Sequence, residues 1–295
     1  MVFLLFNLGN WFNYGQKPEE FINSWRYFVD TLRTDLGKDV LKNVAFLWSP
    51  NSGQNFPWGE NYTGDINKPY SPYYPGDDYV DWVGLSIYHY GSIYRWEQNV
   101  KPDPKHLIKQ ITGDDKYGGE NFYQMYCVEK GKPFFLSETG ATFHLSFWNE
   151  TTKDLSLTRG PTETEPKDAI FELKNIDGIM EIKTSWIDQM FDKEMLKNYP
   201  KIKAISLFEF VKGEETTMRD FSVLGAGTPF PKGLDALGIV DNRDKVLKVF
   251  QKKMNDGYGD LILWANKNSA NTNSPNPDSA IRNSFGLILF LAFLI

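Results

Sequence analysis

Apolar residues fall along this chain in two patterns that take turns. Five short runs are almost continuously hydrophobic: residues 2–6, 44–48, 82–88, 134–136 and 202–210. The second run, Val44-Ala45-Phe46-Leu47-Trp48, has no polar position. That fits a parallel strand covered on both faces better than a half-exposed antiparallel one. Segments of helical period lie between the runs. In the first, Phe21, Ile22, Trp25, Phe28, Val29 and Leu32 recur at three- and four-residue spacing and so share one face. Pro18 with Glu19 and Glu20 supplies first-turn chemistry, and Gly37 supplies a stop. Further helices are predicted around residues 122–130, 176–198 and 244–255.

Strands alternating with helices make an α/β fold with a parallel sheet, and a (β/α)8 TIM-barrel type is the leading architecture. Residues 51–79, 90–104, 142–165 and 211–237 follow strands and are rich in Tyr, Trp, Pro, Gly and Asp. In a barrel these would be the loops of the C-terminal face, where catalytic residues gather. No internal repeat is present.

Composition narrows the function classes. With 295 residues and a 41% hydrophobic share, the chain has ample material for a core, which excludes disorder throughout. Aromatic residues make up 16% of it. Core packing accounts for most of them, but flat rings also stack on the apolar faces of sugars. A net charge of -6 argues against a nucleic-acid partner, which needs a basic face. The single cysteine, Cys127, excludes an intrachain disulfide, a four-cysteine zinc site and an iron-sulfur cluster, and it is expected as a buried thiol. With only His89, His106 and His144 available, no metal is expected. Nor is a cofactor, since the glycines at 115–120 lack the context of a phosphate loop or a dinucleotide fingerprint.

Glycoside hydrolysis needs carboxyl groups on rigid strand ends beside an aromatic trough. Glu138 fits this best, at the end of Pro133-Phe134-Phe135-Leu136-Ser137-Glu138-Thr139-Gly140, a strand running into a glycine turn. On placement alone, a carboxylate held in a salt bridge or a cap explains it equally well.

Four segments resemble glycoside hydrolase family 26, the β-mannanase family. They are Trp48-Ser49-Pro50-Asn51, the long stretch from Tyr73-Tyr74-Pro75-Gly76-Asp77-Asp78 through Trp82-Val83-Gly84 to Tyr88, the Glu138 segment, and residues 205–210. The resemblance spans residues 1–262. It implies a retaining hydrolase of β-mannan with Glu138 as catalytic nucleophile and Tyr88 as the tyrosine beside it. It also implies Trp11, Trp48 and Phe208 as substrate-stacking residues, with Phe208 standing where tryptophan is frequent. The family's acid/base glutamate follows strand four, yet here that region reads Phe6-Asn7-Leu8-Gly9-Asn10-Trp11 and holds no carboxyl. Glu19 and Glu20 lie beyond it, at a helix start. The same alignment places only strands four to eight in this chain, with open edges at residues 2–6 and 202–210.

Beyond the barrel segment, residues 263–284 read as an Asn/Ser/Pro-rich linker and residues 285–295 as an uncharged apolar tail. Small residues, a polar spacer and a short apolar end resemble the signal replaced by a GPI anchor. A short membrane or packing segment is the other reading. Sequons at Asn61-Tyr62-Thr63 and Asn149-Glu150-Thr151 agree with an extracellular or cell-surface location. The expected partner is a polysaccharide, with membrane contact only through the anchor. Two other functions stay open: a catalytically silent carbohydrate-binding surface protein, and a related barrel hydrolase of xylan or mixed-linkage glucan.

Overall fold

The computed structural model describes residues 2–4, 15–53, 65, 67–92, 95–113, 119–225, 229–255, 262–264 and 287–292. Its centre is a parallel sheet of strands β1 Val2–Leu4, β2 Phe46–Trp48, β3 Trp82–His89, β4 Phe134–Ala141, β5 Ile202–Phe208, β6 Ile262–Trp264 and β7 Leu287–Ala292. They lie in the order β1-β2-β3-β4-β5-β7-β6. The five apolar runs are thus the first five strands, adjacent in space as in sequence. Among the described residues the sheet is an open ladder, with no pairing that closes β1 onto β6.

Two expectations about the sheet need correction. Among the described residues it has seven strands, not five, and the edge of β5 is paired: Ala204 lies opposite Ile288, and the register runs on to Phe208 opposite Ala292. An edge strand carries a row of unpaired backbone N–H and C=O groups, and β7 satisfies them. Here the apolar tail provides a strand of the sheet.

Helices cover one face. Helix α1 Pro18–Asp35 buries Phe21, Trp25 and Val29, the stripe visible in the sequence. Residues 122–130 form a shorter π-helical turn, Tyr123–Val128, in which Cys127 is fully buried. Burial pushes its thiol up to about 12, so it is not a reactive thiolate. Helix α2 His106–Thr112 has no counterpart among the predicted helices. The single helix predicted over residues 176–198 is two, α3 Ile179–Met190 and α4 Lys193–Asn198. Asp192 divides them, its carboxylate accepting the Met195 N–H at 2.7 Å and so starting a new helix. Helix α5 Arg243–Asn255 closes this layer.

The segments 142–165 and 211–237 are not the irregular loops expected of them. They contribute a four-stranded antiparallel sheet in the order Val211–Glu214, Thr217–Asp220, Phe143–Trp148, Leu155–Ser156. Its own core gathers Leu145, Val211, Met218 and Leu234. Phe143, Leu145 and Phe147 alternate with His144, Ser146 and Trp148, a period of two that a search for continuous apolar runs passes over.

The central strands pack closely. Gly84 of β3 lies opposite Phe135 of β4. A methyl group at Gly84 would run into the Phe135 carbonyl oxygen, which is fixed backbone, and stand 2.9 Å from the Ser49 hydroxyl. Gly84→Ala is therefore expected to destabilise the fold by about 2–3 kcal/mol. Urea unfolding measures this, and an unchanged midpoint would contradict the packing described.

Candidate active site

Side chains on a strand alternate between faces, so parity decides what Glu138 can reach. On β2, β4 and β5 the residues Leu47, Phe135 and Ala204 form a small cluster on the inner face of the sheet, while Trp48, Phe134, Leu136, Ile205 and Leu207 join the larger core beneath the helices. Simple alternation from Leu136 would send Glu138 to the helical side. The strand does not alternate simply. Against β3, Leu136 pairs with Leu85 and Glu138 with Ser86. Against β5, Leu136 pairs with Ile205 and Thr139 with Leu207. Thus β4 carries one extra residue relative to both neighbours, a β-bulge at Ser137 and Glu138. Thr139 takes the helix-facing position, where its hydroxyl accepts the Trp186 indole N–H of α3 at 3.1 Å. Ser137 instead meets Ser49 at 2.5 Å. The bulge thereby releases Glu138 to the inner face, a recurrent use of bulges beside active sites.

There Glu138 meets Tyr88, whose hydroxyl donates to Oε2 at 2.9 Å. Tyr88, Glu138 and Phe208 are the partly exposed positions near the C-terminal ends of three adjacent strands. The Tyr88 ring is edge-on to Phe208 at 5.7 Å and to Phe221 at 5.6 Å, and it leans against Tyr90 at 5.4 Å. The Lys212 ammonium lies over Phe208 at 5.0 Å and over Phe221 at 5.8 Å, and it pairs with Glu214 at 3.4 Å. Burial raises the Glu138 carboxyl above its ordinary value, while the Tyr88 hydroxyl and the charge of Lys212 pull it back. The Tyr88 hydroxyl is held well above its own ordinary value, first by burial and then by the charge of Glu138, so it stays a donor. The arrangement offers a shielded carboxylate with one oxygen fixed by a phenol, set in an aromatic wall.

Of the residues singled out in the sequence, Glu138, Tyr88 and Phe208 come together. Trp48 does not. It is 1% exposed, stacked on Phe122 at 5.7 Å and edge-on to Tyr74 at 5.1 Å and Tyr126 at 5.0 Å, so neither ring face is open to a sugar. The reason is parity again, since Leu47 takes the inner face of β2. Trp11, and with it the stretch 6–11, lies outside the described residues. Glu19 and Glu20 are exposed in the first turn of α1. Tyr90, Lys212 and Phe221 join the site without a signal in the sequence, Lys212 from the antiparallel sheet and Phe221 from the residue that follows its strand Thr217–Asp220. Behind the wall Glu209 is also buried, its carboxylate accepting the N–H groups of Val223 at 2.8 Å and Leu224 at 2.9 Å. That use is structural.

The family model of glycosyl hydrolase family 26 matches residues 3–146. This segment, just under half of the chain, is similar to glycosyl hydrolase family 26. Tyr88 and Glu138 fall inside the family 26 match, whereas Phe208 and Lys212 lie beyond it. Among solved structures, a family 26 beta-mannanase from Bacteroides ovatus is 24% identical, over 45% of this chain and 30% of its own, with a TM-score of 0.29. The catalytic domain of a family 26 endo-beta-1,4-mannanase from Bacillus sp. JAMB-750 is 20% identical, over 82% of this chain and 47% of its own, with a TM-score of 0.40. The chain spans less than half the length of either.

His144 supports the wall from behind. Its Nε2 lies 2.7 Å from the Tyr90 carbonyl oxygen, which can only accept, so Nε2 carries the proton and Nδ1 accepts from the Thr217 hydroxyl at 3.0 Å. Burial lowers its pKa from 6.5 to about 3. The native state therefore excludes a proton that the unfolded chain takes up below 6.5. The stabilisation is complete above that pH and declines as pH falls toward 3, by about 1.4 kcal/mol per pH unit. In unfolding free energies measured from pH 7 to 4, the advantage of the wild type over His144→Asn should shrink at this slope. Parallel curves would show that His144 titrates normally.

Proposed function

We propose that Glu138 is the nucleophile of a retaining hydrolase of β-linked mannan, acting at the anomeric carbon while Tyr88 holds Oε2. The observation that carries this reading is the bulge-directed carboxylate on the inner face, hydrogen-bonded to Tyr88 within the segment that matches family 26. In such a mechanism a second carboxyl ~5–5.5 Å away protonates the departing oxygen and then activates water. The sequence at 6–11 has no carboxyl to fill that role. Loss of general acid–base help costs a factor of about 10²–10⁴, so the chain as written is expected to be nearly silent on mannan. A surface location belongs to the same reading, and Asn149 of the second sequon is exposed.

An activated aryl β-mannoside tests the assignment, because its leaving group departs without a proton. The expected result is a mass increase of one sugar on the peptide holding Glu138, absent in Glu138→Gln. An adduct that persists in the variant would overturn the nucleophile, and vigorous mannan hydrolysis would overturn the missing-acid argument. Mannan binding with no adduct would favour the carbohydrate-binding alternative. An adduct formed only from a xyloside or glucoside would move the substrate class.

A further inference from the structure

Trp96 holds an unusual backbone conformation beside the aromatic wall. Its backbone is left-handed, at φ 60, which favours glycine and penalises a bulky side chain. The other described non-glycine residues at positive φ are Lys105, Lys153 and Glu215, charged residues at turns. Trp96 is aromatic and only partly buried, so burial of its ring does not account for the strain.

The residues on either side hold it there. Arg95 donates to the Thr162 hydroxyl at 2.6 Å and to the Thr164 hydroxyl at 3.1 Å, and it pairs with Glu165 at 3.1 Å. Glu97 receives Arg159 through both oxygens at 2.7 and 2.6 Å, and the Thr216 hydroxyl at 2.9 Å. The two anchors are joined, since Arg159 also pairs with Glu165 at 2.7 Å. Trp96 is thus strung between two fixed points on one ion-pair network. Its ring reaches Tyr90 at 5.7 Å, and Tyr90 in turn reaches Tyr88. An aromatic path therefore runs outward from Glu138 through Tyr88 and Tyr90 to a clamped, partly exposed indole.

We propose that Trp96 is a stacking subsite for a pyranose ring of the polysaccharide, set at the outer end of the Tyr88–Tyr90 wall and held in place by the Arg95 and Glu97 anchors. The inference rests on the polysaccharide reading above and extends it to a position that chooses and orients the chain rather than one that reacts. A rigid ring loses little freedom on binding, and so a clamped indole is suited to hold the apolar face of a sugar.

Calorimetric titration with a β-1,4-linked mannose hexamer tests this. Trp96→Ala and Trp96→Gly are expected to weaken binding by about 5–10-fold, the loss of one aromatic contact, while Trp96→Phe retains most of it. Glu97→Gln, which leaves the indole but loosens its clamp, should fall between. Thermal melts provide the control for folding and for strain. Trp96→Gly should melt above Trp96→Ala, because only glycine adopts positive φ freely. Unchanged affinity in Trp96→Ala would overturn the subsite while leaving the nucleophile assignment intact. Failure of the wild type to bind the hexamer would remove the mannan reading and this inference together. A Trp96→Ala that melts at or above Trp96→Gly would show that the residue is not strained.

Discussion

Because strand side chains alternate between faces, the extra residue that β4 carries between Leu136 and Thr139 determines which compartment Glu138 enters. A regular strand would place that carboxylate under the helices, among Trp186, Phe122 and their neighbours, where an unpaired charge is costly. The bulge exchanges the two positions. Thr139 satisfies the indole of Trp186, and Glu138 joins Tyr88 and Phe208 on the other side. The close approach of β3 at Gly84 to the Phe135 carbonyl leaves β4 little room to shift, which holds the register that aims the carboxylate.

The second layer of the site is electrostatic. A carboxylate withdrawn from water rises in pKa and is a poorer nucleophile at low pH because less of it is ionised. Tyr88 and Lys212 act in the opposite direction, and each is supplied by a different part of the fold: β3 of the parallel sheet and the first strand of the antiparallel one. The antiparallel sheet therefore does more than lengthen a loop. It brings Lys212 to the site and holds the Glu214–Arg219 pair, and within it Thr217 meets His144, which bonds to the carbonyl of Tyr90.

Much of this was legible in the sequence, and what was not has a physical reason. The five apolar runs marked the five strands because burial on both faces leaves an unbroken hydrophobic signature. Glu138 could be placed because it follows such a run, and Tyr88 and Phe208 through the resemblance of the segments that hold them. A bulge leaves no trace in a pattern like Phe134-Phe135-Leu136-Ser137-Glu138-Thr139, as one residue of slip looks like any other polar substitution. Parity misled the reading of Trp48 for the same cause: a run with no polar residue does not reveal which side faces the cleft. The antiparallel strands were short, and their period of two was carried by three aromatic or aliphatic residues amid turn chemistry. The pairing of β7 with β5 joins residues about eighty positions apart, a contact that no local pattern encodes.

The bulge delivers Glu138 to a shielded pocket where burial raises its pKa and the Tyr88 hydrogen bond offsets part of the rise. The most direct measurement is a ¹³C NMR titration of the protein labelled at glutamate Cδ, with the Glu138 resonance assigned by its disappearance in Glu138→Gln. The expected midpoint lies above the ordinary value of 4.5 and moves higher still in Tyr88→Phe, because the hydrogen bond that favours the ionised form is gone. A midpoint at or below 4.5 that Tyr88→Phe leaves unchanged would place the carboxylate in solvent and contradict the account.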